Sequence, residues 1–144
     1  MKGTTNIPGV CVLIKRGSEA LFILRSNTGF KDGEYAVPSG HVENDESFTV
    51  AACREVFEEV GLKINPEKLS YLLTVQRRSI NDTRIDVWFE ATEWNGEPKN
   101  AEPERHSEIT WLDINNLPAN IIDYMNFGIQ NIKKGYKYGE FGWG

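Results

Sequence analysis

The chain has 144 residues, of which 40% are hydrophobic, 26% charged and 11% aromatic, with a net charge of −5. That length suits one domain, 1–144, able to bury roughly 70% of the surface of its unfolded chain. The acidic balance excludes a general nucleic-acid binder, which needs a basic face, and no apolar run reaches the roughly 20 residues of a membrane span.

Residues 9–15 and 20–25 are β-rich runs joined by Arg16-Gly17-Ser18-Glu19, which reads as a hairpin. Their near-continuous apolar character suggests strands covered on both faces. Residues 26–34 form a polar loop with two glycines, and its Phe30 either folds back on the core or walls a substrate pocket. Arg25, at the end of its strand, is a candidate phosphate contact, with Arg77 and Arg78 as weaker ones. Cys11 and Cys53 read as small core residues in a reducing compartment. With no signal-peptide hydrophobic region at the N-terminus, the expected location is cytoplasmic.

The segment 40–62 (GHVENDESFTVAACREVFEEVGL) carries the densest chemistry. Asp45, Glu46 and Ser47 mark the start of a helix, and Gly61 marks its end. On a helical wheel Val50, Cys53, Val56, Phe57 and Val60 fill one arc, which should face a core. Glu55, Glu58 and Glu59 fall on the opposite side. Three adjacent carboxylates repel, so they are either solvated and ion-paired, as Arg54–Glu58 at i,i+4 would allow, or gathered on a hard divalent cation. The helix alone leaves both readings open.

Further along, residues 68–77 and 84–94 are strands, and in the second Ile85, Val87 and Phe89 oppose Asp86, Trp88 and Glu90. Trp88 is therefore either a base-stacking residue or a ring under a covering helix. Residues 95–107 form a Pro- and Glu-rich loop, 108–112 a strand, and 121–133 a final helix. The aromatic, glycine-rich tail at 136–144 lacks periodicity, and is either frayed or docked by its rings. Strands alternating with two helices make an α/β sandwich with a mixed sheet.

The spacing of Gly40, Glu46 and then Arg54-Glu55-Val56-Phe57-Glu58-Glu59-Val60-Gly61-Leu62 resembles the signature of the Nudix hydrolases at every defined position. The preceding Tyr35-Ala36-Val37-Pro38-Ser39 resembles that family's lead-in, with Ser39 where a glycine usually stands. The resemblance implies an αβα sandwich with a mixed β-sheet between helices. It also implies an Mg2+-dependent enzyme, Mn2+ being an alternative, in which water attacks phosphorus of a nucleoside diphosphate-linked substrate.

By the same resemblance Glu55, Glu58 and Glu59, the Gly40 carbonyl and Glu102 would bind metal. Glu58, Glu59, Glu55 and Glu102 would carry catalysis, with Glu104 and Glu108 as rivals to Glu102. Arg54 and Glu46 would orient the carboxylates. Arg25, Phe30 and Trp88 would contact substrate, and His41 and His106 would have no catalytic duty. The motifs of the ADP-ribose, dinucleoside polyphosphate and coenzyme A subgroups are missing. A MutT-like conversion of a nucleoside triphosphate to monophosphate and pyrophosphate is thus the default. An ADP-ribose or nucleotide-sugar pyrophosphatase and a non-catalytic nucleotide-binding module are the alternatives. The expected partner is a small nucleotide, with no nucleic acid polymer or membrane, and a homodimer is compatible with the resemblance.

Overall fold

A computed structural model describes residues 5–144; the first four residues of the expected domain span 1–144 lie outside it. Strand β1 (Asn6–Arg16) is the spine of the sheet. The Gly17-Ser18 turn returns the chain as β2 (Glu19–Arg25), pairing only Lys15 with Ala20 and Arg16 with Glu19. Gly17 takes a positive φ of 62° there, a conformation glycine adopts without steric cost. The two strands then diverge. β2 pairs with β3 (Tyr35–Ala36) and with β7 (His106–Asp113), whereas β1 pairs with β4 (Ser39–His41) and runs parallel to β6 (Thr83–Ala91). β6 is joined antiparallel to β5 (Ser70–Arg78). Gly9 to Ile14 are all buried, as a strand covered on both faces requires.

Helix α1 (Phe48–Val60) lies on β1 and β4. Ser47 caps it by accepting from the Val50 amide at 3.3 Å, and Gly61 ends it in the left-handed region at φ 74°. Its inward face differs from the wheel. Ala51, Ala52, Val56, Glu59 and Val60 are buried, whereas Val50 and Phe57 are 47% and 50% exposed and Cys53 is half-buried. Two small alanines let the helix lie close to the sheet, which brings Glu59 inward with them. Phe57 and Val50, expected on the core arc, lie outside it, so the carboxylate face and the core face overlap rather than oppose.

Helix α2 (Asp123–Lys133) packs on β5 and on β8 (Tyr138–Phe141), a strand formed by the tail. β8 pairs parallel with β5 from Thr74 to Arg77, and the Trp143 indole donates to the Gln76 carbonyl at 3.1 Å. The tail is thus docked by backbone as well as rings. Two helices on a mixed sheet give the α/β sandwich, and no helix among the described residues is long and apolar enough to cross a membrane.

Trp88 settles beneath α2 rather than in any pocket. It is 1% exposed, and its indole fills the space that a Cβ on Gly128 would need. The expected substrate role for Trp88 is therefore withdrawn: the helix covers its ring, and it does not line the cleft. Gly128→Ala should push a methyl into that ring and cost about 1–3 kcal/mol, measured by urea unfolding followed through tryptophan fluorescence.

Candidate functional site

The carboxylates of α1 reach one cleft of about 680 Å³, bounded by β1, β4, α1, the 26–34 loop and the start of β7. Gly40, Glu55, Glu58, Glu59 and Glu102 line it, with Arg25 and Phe30, so the residues that the sequence scattered over 78 positions converge. Glu104 and Glu108 do not line it, and Glu108 instead accepts from the Tyr35 hydroxyl at 2.8 Å.

Gly40 is needed for room. A Cβ there would overlap the Glu55 carboxylate, so β4 and α1 approach only because position 40 has no side chain. Ser39 stands in β4, outside the residues with positive φ, so serine serves where a flexible glycine was expected.

Arg54 organises the acidic groups. Its Nε and Nη2 grip Glu46 at 2.7 and 3.0 Å, its Nη1 reaches Glu55 at 2.9 Å and Glu58 at 3.2 Å, and Nη2 also donates to the His41 carbonyl at 3.0 Å. The bidentate pair is the geometry guanidinium favours. It holds the Glu46 carboxyl down at about 2, helped by the Glu43 amide. Glu46 does not line the cleft.

Glu59 lacks such support. It is 5% exposed, it hydrogen-bonds Glu55, and the Ser39 amide donates to it at 3.3 Å. No lysine or arginine among the described residues pairs with it. Burial first, then Glu55, pushes its carboxyl well above the ordinary range. Glu102 is also raised, chiefly by burial. Carboxyl groups crowded in this way suit a hard divalent cation, and the Gly40 backbone is beside them. Among the described residues no three acidic, histidine or cysteine side chains are already gathered as a cage, and Arg54 occupies two of the four carboxylates.

Around this acidic centre the cleft is basic and aromatic. Arg25 donates to the Phe30 carbonyl at 2.8 Å and lies 5.6 Å from that ring, and the loop is knitted by Asp32 accepting from the Thr28 and Gly29 amides. Phe30 is thus held at the rim, half-exposed. Arg77 ion-pairs with buried Asp86 at 2.9 Å and stacks 3.7 Å from the Tyr124 ring. Arg84 donates to His41 Nε2 at 2.7 Å, and Arg105 completes the lining. Asp86, Arg84, Arg105 and Tyr124 had no signal along the chain; only a charged residue at the helix-covered face of β6 hinted at Asp86. Arg78, by contrast, turns away toward Trp143 at 5.3 Å.

The Glu46–Arg54 pair has a measurable signature. Because the folded carboxyl is depressed to about 2, its stabilisation is present above the ordinary carboxylate value and fades as pH falls toward 2. Glu46→Gln should therefore lower stability at neutral pH, and the gap to the parent should close in increasingly acid urea titrations.

Comparison with known proteins identifies the domain. The Nudix domain profile matches residues 5–128. The ADP-ribose pyrophosphatase of Methanocaldococcus jannaschii is 34% identical over 122 residues, covering 81% of this chain and 69% of that protein. The NAD-capped RNA hydrolase NudC of Stutzerimonas stutzeri is 34% identical over 112 residues. The match covers 78% of this chain but only 38% of NudC, so the chain spans about two fifths of that relative's length. A MutT Nudix hydrolase from Burkholderia pseudomallei superposes with a TM-score of 0.80 at 24% identity, covering 88% of this chain and 97% of that one. The MutT protein of Methanosarcina mazei Go1 gives 0.79 at 22%, covering 93% and 97%. These two likenesses concern the fold. With the family profile spanning β1 to β7, α1 and the cleft, the chain belongs to the Nudix family.

Proposed function

We propose that this protein is a divalent-metal-dependent hydrolase of nucleoside diphosphate-linked compounds. The observation that carries the reading is the convergence of Glu55, Glu58, Glu59, Glu102 and Gly40 on one cleft rimmed by Arg25, Arg77, Arg84 and Arg105. A phosphoanhydride repels a nucleophile through its own negative charge, and bound magnesium, or manganese, would neutralise that charge and act as a Lewis acid. The box carboxylates, Glu102 and the Gly40 carbonyl would hold the metal. Arg25 and Arg105 lie where they could bind the phosphates, and Phe30 walls the same end. Water adds to phosphorus, the anhydride P–O bond breaks, and the water's proton passes to a carboxylate. Glu58, 46% exposed, and Glu102, 28% exposed, are the two placed to accept it without deep burial. Arg54 acts through the carboxylates that it aims, and Glu46 acts through Arg54.

The first substrate reading is a nucleoside triphosphate, cleaved to monophosphate and pyrophosphate, which rests on the missing motifs of the other subgroups. The second is ADP-ribose, favoured by the M. jannaschii relative. The name of NudC adds a nucleotide-capped RNA end, which carries the same linkage and relaxes the expectation of no polymer substrate.

The test is a panel of triphosphates, ADP-ribose, nucleotide sugars and capped RNA with magnesium and with chelator. Turnover should require metal, and Glu58→Gln should lower kcat by at least about 10²-fold. Tight nucleotide binding with no turnover of any compound would leave the protein a binding module.

A further inference from the structure

The Arg77–Asp86 pair leaves one carboxylate oxygen unused inside the cleft. Arg77 Nε donates to Asp86 Oδ2 at 2.9 Å, and the Asp86 side chain is 10% exposed. Among the described residues nothing donates to Oδ1. Arginine–carboxylate pairs commonly fork across both oxygens, and a largely buried polar atom is normally given a partner. The guanidinium is held where it is by the Tyr124 ring, 3.7 Å away. The free oxygen is not sealed in the core, because Gly9, Arg77 and Asp86 all line the cleft.

Its position is fixed by the sheet. Gly9 of β1 stands between His41 of β4 and Asp86 of β6. A Cβ on Gly9 would lie 2.9 Å from Oδ1, too close for a side chain, and 3.4 Å from the Gly40 carbonyl oxygen. The glycine thus lets the carboxylate lie over β1. Only a methyl-sized space separates Oδ1 from the carbonyl that the proposed function gives to the metal.

We propose that Asp86 selects the sugar of the substrate: its free Oδ1 accepts a hydrogen bond from a ribose hydroxyl of the nucleoside. A phosphate oxygen would be repelled by the carboxylate, and a further cation would meet the Arg77 guanidinium that already neutralises it. What Oδ1 lacks is a neutral donor. From a phosphate held beside Gly40, the sugar follows through one ester bond and brings hydroxyls of that kind, whereas the base lies further out. The inference rests on the proposed hydrolase reading. It goes beyond that reading by naming the part of the substrate that is recognised and the residue that recognises it.

The test is a ratio of kcat/KM values, ribose over 2′,3′-dideoxyribose. It is measured with magnesium for the four nucleoside triphosphates, and for ADP-ribose altered in its adenosine. The parent should favour ribose by about 10–100-fold, the worth of a hydrogen bond to a charged acceptor. Asp86→Asn keeps the shape but offers a neutral oxygen, and should cut the ratio by about 5–10-fold. Arg77→Met combined with Asp86→Leu replaces the buried pair by apolar residues, a change that folds often tolerate, and should bring the ratio near one. Each ratio is taken on one enzyme preparation, so loss of folded protein cancels, and a merely structural pair would leave it unchanged. A parent ratio near one, or a ratio unaltered in the variants, would overturn the proposal while metal-dependent turnover stands. A preference that follows the base and ignores the sugar would overturn it equally. No turnover of any compound would sink the hydrolase reading along with it.

Discussion

The site depends on one costly placement: the Glu59 carboxyl is buried against Glu55 with a single backbone amide and, among the described residues, no cation beside it. An ionised carboxylate without a partner is several kcal/mol worse in such surroundings than in water. The neighbouring choices in the sequence make the placement sterically feasible or limit its cost. Gly40 leaves room for Glu55, Ala51 and Ala52 bring the helix down on the sheet, and Ser39 supplies the amide. A divalent cation would turn the same crowding from a cost into a donor set.

Arg54 divides the acidic groups into two roles. Glu46, outside the cleft, anchors the guanidinium through two short hydrogen bonds, and the third nitrogen then reaches Glu55 and Glu58. One end of the network is therefore a fixed ion pair and the other a pair of carboxylates held in reach of a ligand. The rim repeats the principle with opposite sign. Arg77 is tied to Asp86 and stacked on Tyr124, and Arg25 is tied to the Phe30 carbonyl, so positive charge stands at fixed points around an acidic centre. A chain with net charge −5 can accommodate an anion there without being basic overall.

What could be read from the chain followed from short-range geometry. The α1 boundaries, the Gly17-Ser18 hairpin and the glutamate spacing each depend on neighbours within a few residues, and all three stand in the fold. The inward face of α1 was misjudged because the decisive factor was the closeness of a sheet built from distant segments, which favours Ala52 over Phe57. Trp88 was ambiguous for a similar reason: only the position of Gly128 on α2 shows which ring face is covered. The tail looked shapeless since a four-residue strand needs an edge to pair with, and β5 supplies it from some 60 residues away. Asp86, Tyr124 and Arg105 are brought to the cleft by topology alone, and their spacing carries no motif.

Whether the buried carboxyl is a metal donor is decided by the thermal stability of Glu59→Gln against the parent, each measured with chelator and with magnesium. The neutral amide can still accept from Ser39 and donate to Glu55, so relief of the buried carboxyl should raise the melting temperature by a few degrees in chelator. Magnesium should stabilise the parent and leave the variant unmoved. A variant less stable than the parent in chelator, and equally responsive to magnesium, would contradict the account and make Glu59 a structural carboxyl of the core.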